Sequence, residues 1–97
     1  SMTHEAIYEC SKDIKAVIHI HNLKMWNKYL DKLPTTSKDV TYGTPEMAYE
    51  VKRLYKETNF KEKKIAVFGG HKEGIIAFGN DLKEAYDIIV EYFNKIK

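Results

Sequence analysis

The run Ala16-Val17-Ile18-His19-Ile20-His21 restricts the fold of this chain more than any other stretch. Its residues are β-branched, small or aromatic, and they suit an extended backbone. Successive side chains of a strand point to opposite faces, so Val17, His19 and His21 share one face while Ala16, Ile18 and Ile20 share the other. The second face is wholly apolar and has to be covered, which calls for a sheet with other elements packed on it.

The rest of the chain supplies those elements. Thr3 is placed to cap a helix over residues 4–12, with Ala6, Ile7 and Cys10 inward. Asn22 is placed to cap a second helix, with Leu23, Trp26, Leu30 and Leu33 at helical spacing. Pro34-Thr35-Thr36-Ser37 is a loop, and Val40-Thr41-Tyr42 a short strand. Gly43-Thr44-Pro45-Glu46 starts a helix: Thr44 caps, Pro45 takes the first helical position, and Glu46 meets the positive end of the dipole. Met47, Val51, Leu54, Tyr55 and Thr58 follow along one face. Lys64–Phe68 and Ile75–Phe78 read as strands joined by Gly69-Gly70-His71-Lys72-Glu73-Gly74, a glycine-rich hairpin connection. Asn80-Asp81 caps a last helix whose core stripe is Leu82, Ala85, Tyr86, Ile89, Tyr92, Phe93 and Ile96.

With 97 residues there is one domain, over 1–97. No apolar run approaches the ~20 residues of a membrane span. The first residues lack the basic start and apolar stretch of a secretory leader. Cys10 is the one cysteine, so no internal disulfide forms, and a cytoplasmic location is expected. Cys10 falls on the apolar side of its helix and reads as packing rather than chemistry. Sixteen basic against fourteen acidic side chains leave a net charge of +2. Only Lys61-Glu62-Lys63-Lys64 is a basic run; it reads as a solvated turn, and no nucleic-acid partner is expected without a concentrated basic stripe.

His19 and His21 carry the sharpest chemical signal. Their roots stand about 7 Å apart on one face of a strand, and their ring nitrogens can meet a single ion at about 2.1 Å each. A third ligand comes from the hairpin loop, where the candidates are His71 and Glu73. Glycines on both sides let that loop take unusual backbone angles and come close to an ion. Solvated histidines and a polar hairpin tip are the bland alternative. His4, at the start of the first helix, reads as exposed and inert. Glu5, Glu9 and Asp13 read as solvated, and the tyrosines mostly as core. Tyr42, Tyr86 or Tyr92 would serve as an acid only if the fold set one beside the metal. No nucleophile elbow, phosphate-binding loop or dinucleotide fingerprint is present.

Three stretches together resemble the class II aldolase/adducin family. Ala16–His21 is similar to that family's strand with paired zinc histidines. Tyr42-Gly43-Thr44-Pro45-Glu46-Met47-Ala48 is similar to its Gly-Thr-x-Glu-Leu helix start. Gly70-His71 through Gly79-Asn80-Asp81-Leu82-Lys83-Glu84-Ala85 is similar to its histidine-glycine strand and following helix. The resemblance implies an α/β fold: a three-layer α/β/α sandwich, reduced here to a smaller mixed sheet with flanking helices, and assembled as a homo-oligomer. It implies a divalent metal, zinc above all, on His19, His21 and His71, acting as a Lewis acid on the carbonyl of a small sugar-like substrate. The implied reactions are those of a metal-dependent lyase or isomerase of the sugar-phosphate aldolase or epimerase type.

The sequence departs from that pattern in the loop, where Lys72 and Glu73 separate His71 from Gly74. Counting back from Ala85 sets Glu73 at the ligand position; a two-residue insertion restores His71, which we prefer. The span between His21 and His71 is short for the family. Residues 1–3 offer no carboxylate where the family's base lies, and its phosphate-binding loops would lie further upstream. Glu73 is therefore the candidate catalytic base. The alternative is a non-catalytic aldolase/adducin-like scaffold or fragment that lacks the base.

Overall fold

The structure is a computed structural model and describes residues 2–96. Its elements run α1 (Met2–Cys10), β1 (Ala16–His21), α2 (Leu23–Tyr29), α3 (Pro45–Glu57), α4 (Phe60–Lys63), β2 (Ile65–Val67), β3 (Gly74–Gly79) and α5 (Leu82–Asn94). This is a mixed α/β arrangement of five helices on a small sheet. The sheet order is β1-β3-β2, and both pairings are antiparallel. The mixed sheet expected from sequence is thus corrected to an antiparallel one. Its one parallel contact among the described residues is an isolated bridge from Thr35 to Val67, on the outer edge of β2.

Three helix starts follow from local capping. Asn22, Thr44 and Asp81 each accept a hydrogen bond from the backbone N–H three residues on, at Met25, Met47 and Glu84. Each satisfies one donor that the first helical turn leaves open. Thr3 does not act this way. The helix already includes it, and its side chain is buried with Oγ1 unpartnered.

Register separates two apolar clusters, one on each face of the sheet. β3 carries Ile76 and Phe78 on one face and Ile75 and Ala77 on the other. Ile76 and Phe78 join Ala66, Phe68 and Val17 under α1, α3 and α4, through Ala6, Ile7, Met47, Val51, Leu54 and Phe60. Ile75 and Ala77 join Ile18, Ile20, Ile65 and Val67 under α2 and α5, through Met25, Tyr29 and Ile89.

Several expected details are corrected. Val40–Tyr42 runs from a bend at Val40 into a turn at Tyr42 instead of a strand, because no neighbouring strand offers it a ladder. On α2 the buried residues are Met25 and Tyr29, with Leu33 buried beyond the helix end, while Leu23 is exposed. On α5, Leu82 and Tyr86 are 65% and 60% exposed, and Ala85 and Ile89 make the contact. Lys61–Lys63, expected as a turn, form the short helix α4 together with Phe60, and Lys64 ends it in the left-handed region at φ 63°. No helix among the described residues is long and apolar enough to cross a membrane.

Candidate metal centre

β1 presents His19 and His21 on the same face as Val17. Their antiparallel partners on β3 are Ile76 and Gly74. The β2–β3 loop then turns back and sets His71 over that strand pair. The backbone fixes this return tightly. His71 N–H donates to the Phe68 carbonyl at 3.2 Å, Gly74 N–H to the His71 carbonyl at 2.9 Å, and Phe68 N–H to the Gly74 carbonyl at 3.0 Å. From outside the loop, Asn22 N–H donates to the Glu73 carbonyl at 2.8 Å, and the Trp26 indole N–H to the Phe68 carbonyl at 2.9 Å.

The glycines of the loop act by absence of bulk. Gly69, Gly70 and Gly74 all keep negative or extended φ; the left-handed residue here is Glu73, at φ 72°. A Cβ on Gly74 would lie 2.7 Å from His71 Cδ2 and 2.8 Å from Phe68 Cδ2. A Cβ on Gly70 would lie 2.3 Å from the Val40 carbonyl oxygen. Gly74 therefore lets His71 approach His21, and Gly70 lets the loop rest on the segment that leads to Tyr42. The unusual backbone angles expected of these glycines are not what they contribute.

The three imidazoles form one group. Ring centroids are 5.0 Å apart for His19–His21, 5.6 Å for His19–His71 and 5.0 Å for His21–His71. One nitrogen from each lies within 4.8 Å of the other two, close enough to hold a metal ion. Nitrogens bound to one tetrahedral zinc sit roughly 3.4 Å apart, a contraction within reach of small ring rotations. The donor set also fits on polarity. Nε2 of His19 and Nε2 of His71 are buried and accept no hydrogen bond. A buried polar atom without a partner is costly, and an ion would satisfy both.

The electrostatics keep His19 and His71 in the form that binds metal. Burial, and then the nearby His21 and His71, push the His19 pKa down to about 4. Burial, and then His21, lower that of His71. Neutral imidazole is the ligand form. His4 is half-buried, contrary to the exposed position expected for it, and near enough to His19 to bear on its protonation.

Two aromatic rings flank His19 and His71, while His21 is exposed. Phe68 meets His19 edge-on at 5.3 Å, and Tyr42 lies 4.6 Å from His19 and stacks on His71 at 5.2 Å. Of the three tyrosines that sequence left open, Tyr42 is the one at the histidines. Tyr92 packs on Tyr29 at 5.4 Å, and Tyr86 faces outward. Glu73 contributes a backbone carbonyl to the loop, and its carboxylate is outside the three-residue group. Cys10 donates its thiol to the Ala6 carbonyl at 3.3 Å, and burial raises its pKa, so it is held as an unreactive thiol.

Sequence reasoning did not foresee the role of Trp26, assigned there to the helix core. Its signal is an indole that needs a hydrogen-bond partner when buried. The chain matches no family model and no curated protein.

Proposed function

We propose that His19, His21 and His71 bind one zinc ion, and that the site serves a metal-dependent lyase or isomerase acting on a small sugar-like carbonyl compound. The observation that carries this reading is the convergence of three imidazoles, two of them, His19 and His71, with buried and unpartnered Nε2 atoms. Three protein nitrogens leave a tetrahedral ion an open position, as catalytic zinc sites do. The bound metal supplies Lewis acidity toward a substrate carbonyl. The protein's own groups do the rest. Phe68 and Tyr42 cover His19 and His71, while His21 stays exposed to solvent. The Tyr42 phenol is the candidate acid, and Glu73, two residues past His71, the candidate base.

This reading keeps the resemblance to class II aldolases and adducins as its guide to substrate class and to a reduced three-layer α/β/α sandwich. Helices packed on both faces of the sheet support the latter. We further propose a cytoplasmic homo-oligomer. β1 is an edge strand, and Leu82 and Tyr86 are exposed apolar residues, features that favour association. The displacement of the Glu73 carboxylate from the histidine group favours a second reading, a metal-binding scaffold without turnover.

Zinc competition titration of the purified chain tests the metal. The wild type should bind one equivalent, and His19→Ala or His71→Ala should each lose more than about a hundredfold in affinity. Glu73→Ala should keep zinc affinity. Loss in Glu73→Ala with retention in His71→Ala would exchange their roles. Zinc binding without aldol cleavage or epimerisation of any sugar phosphate screened would leave the scaffold reading in place.

A further inference from the structure

We propose a second ligand site at the opposite end of the β1–β3 ladder, which binds a small phosphorylated molecule with an aromatic or apolar body. The histidines occupy the ladder's Gly74 end. At the other end, Ala16 pairs with Gly79, and Lys15 N–H donates to the Gly79 carbonyl at 2.9 Å. A cavity of about 660 Å³ opens there. Ile14, Tyr55 and Phe78 provide its apolar surface, and Lys15, Lys61 and Lys64 its cations. Its volume falls in the ~300–1,000 Å³ range of small-molecule sites. A hollow of about 490 Å³ adjoins it, shares Tyr55 and Lys61, and adds Lys52 and Lys56.

The charge is concentrated. Five lysines line the two hollows against two carboxylates, Glu9 and Asp13. With Glu84, the ion-pair partner of Lys64, included, the surplus is two, equal to the net +2 of the whole chain, so the rest of the chain is net neutral. Lys52 is paired with Glu9 at 2.7 Å and Lys64 with Glu84 at 2.9 Å. Lys15, Lys56 and Lys61 have no ion pair among the described residues. A positive concavity with low-dielectric walls raises the local concentration of anions.

The backbone that bears these lysines is held firmly. Phe60 is buried and meets Phe78 edge-on at 5.1 Å, which anchors α4. Lys64 N–H donates to the Phe60 carbonyl at 2.8 Å, and Phe78 N–H to the Lys64 carbonyl at 3.0 Å. The left-handed backbone at Lys64 is a position where glycine would sit without strain, yet a lysine occupies it. Cations on a fixed frame beside an aromatic wall fit a ligand whose phosphates meet the lysines and whose planar body lies on Tyr55. A nucleic acid would call for a basic stripe that extends past one bounded cavity.

The test uses ADP as the probe, with EDTA present so that zinc cannot bridge it to the histidines. Amide chemical shifts are followed by NMR, and affinity is read from their saturation. Saturating shifts are expected at Lys15, Tyr55, Lys61 and Gly79, with tripolyphosphate and adenosine each binding more weakly than ADP. The double variant Lys15→Glu/Lys61→Glu should weaken ADP by about tenfold or more, while Lys28→Glu on α2 should not; circular dichroism checks that both fold. The proposal falls if those amides stay unmoved at millimolar ADP, if the shifts centre on the histidines, or if the folded double variant binds as well as wild type. It falls also if a single-stranded oligonucleotide binds more tightly than ADP. None of these outcomes depends on whether His19, His21 and His71 take up zinc.

Discussion

The two ends of β3 use the same device toward opposite electrostatic ends. At Gly74 the missing Cβ leaves room for His71, which would otherwise be met at 2.7 Å. At Gly79 it leaves room for Glu84, also at 2.7 Å. The first opening gathers three imidazoles, and burial drives the protonated form out of His19 and His71. The second seats a carboxylate that the Lys64 ammonium and the Asn80 N–H hold below its ordinary pKa. His19 and His71 thus stand neutral at one end, and Glu84 charged at the other. The difference lies in partners. The imidazoles face each other and two aromatic rings, whereas Glu84 faces an ammonium and a backbone N–H.

Swapping each glycine for alanine separates the two ends. Gly74→Ala should give the largest effect. The new methyl would push His71 away from His21 and weaken zinc binding by about ten- to a hundredfold, as read by competition titration. Overpacking of this kind also costs about 1–3 kcal/mol of stability. Gly79→Ala should leave zinc affinity unchanged and lower stability by about 1–2 kcal/mol, as read by urea unfolding, because it displaces Glu84. If Gly79→Ala lost zinc as strongly as Gly74→Ala, the ends would be coupled and the comparison would fail.

How far the sequence foretold these ends depends on the range of the forces involved. Capping is local, so Asn22, Thr44 and Asp81 were readable as helix starts. The histidine face of β1 was readable too, since alternation is a property of one strand. The roles of Gly74 and Gly79 were hidden, because each concerns an atom that a distant side chain would strike. Lys15 and Lys61 are far apart in the chain and meet only through the β1–β3 pairing and the anchoring of Phe60. Val40–Tyr42 has a strand's composition, but composition does not supply a partner strand. Leu82 and Tyr86 share helical spacing with Ala85 and Ile89, yet the sheet meets only the Ala85 side of α5.

Acid should expose the two ends in sequence. His19 has an ordinary pKa of 6.5 that the fold lowers to about 4. Above pH 6.5 neither folded nor unfolded chain protonates it, and its effect on stability is constant. Between 6.5 and 4 the unfolded chain takes up a proton that the folded chain refuses, so stability falls as pH falls. His71 is shifted the same way and adds to that loss. Glu84 is lowered from 4.5, so its contribution is intact above that value and is lost further down. Urea midpoints of metal-free protein should therefore decline already between pH 6.5 and 5. That part of the decline should shrink in His19→Leu and persist in Glu84→Gln. A flat midpoint over that range would contradict the burial of His19.

The smallest expected effect concerns the pin that holds the histidine end. The Phe68 carbonyl accepts both the His71 N–H and the Trp26 indole N–H. Trp26→Phe keeps an aromatic body and removes the indole donor. The carbonyl retains one donor, so stability should drop by only about 1 kcal/mol. Zinc affinity should fall by less than about tenfold, since the strand pairing and the other backbone bonds of the loop remain. Amide hydrogen exchange should be the sensitive readout: His71 and Gly74 should exchange faster in the variant, while Lys15, at the far end of the ladder, should not change. Equal acceleration at both ends would mean that Trp26 stabilises the whole sheet, and that the histidine loop has no pin of its own.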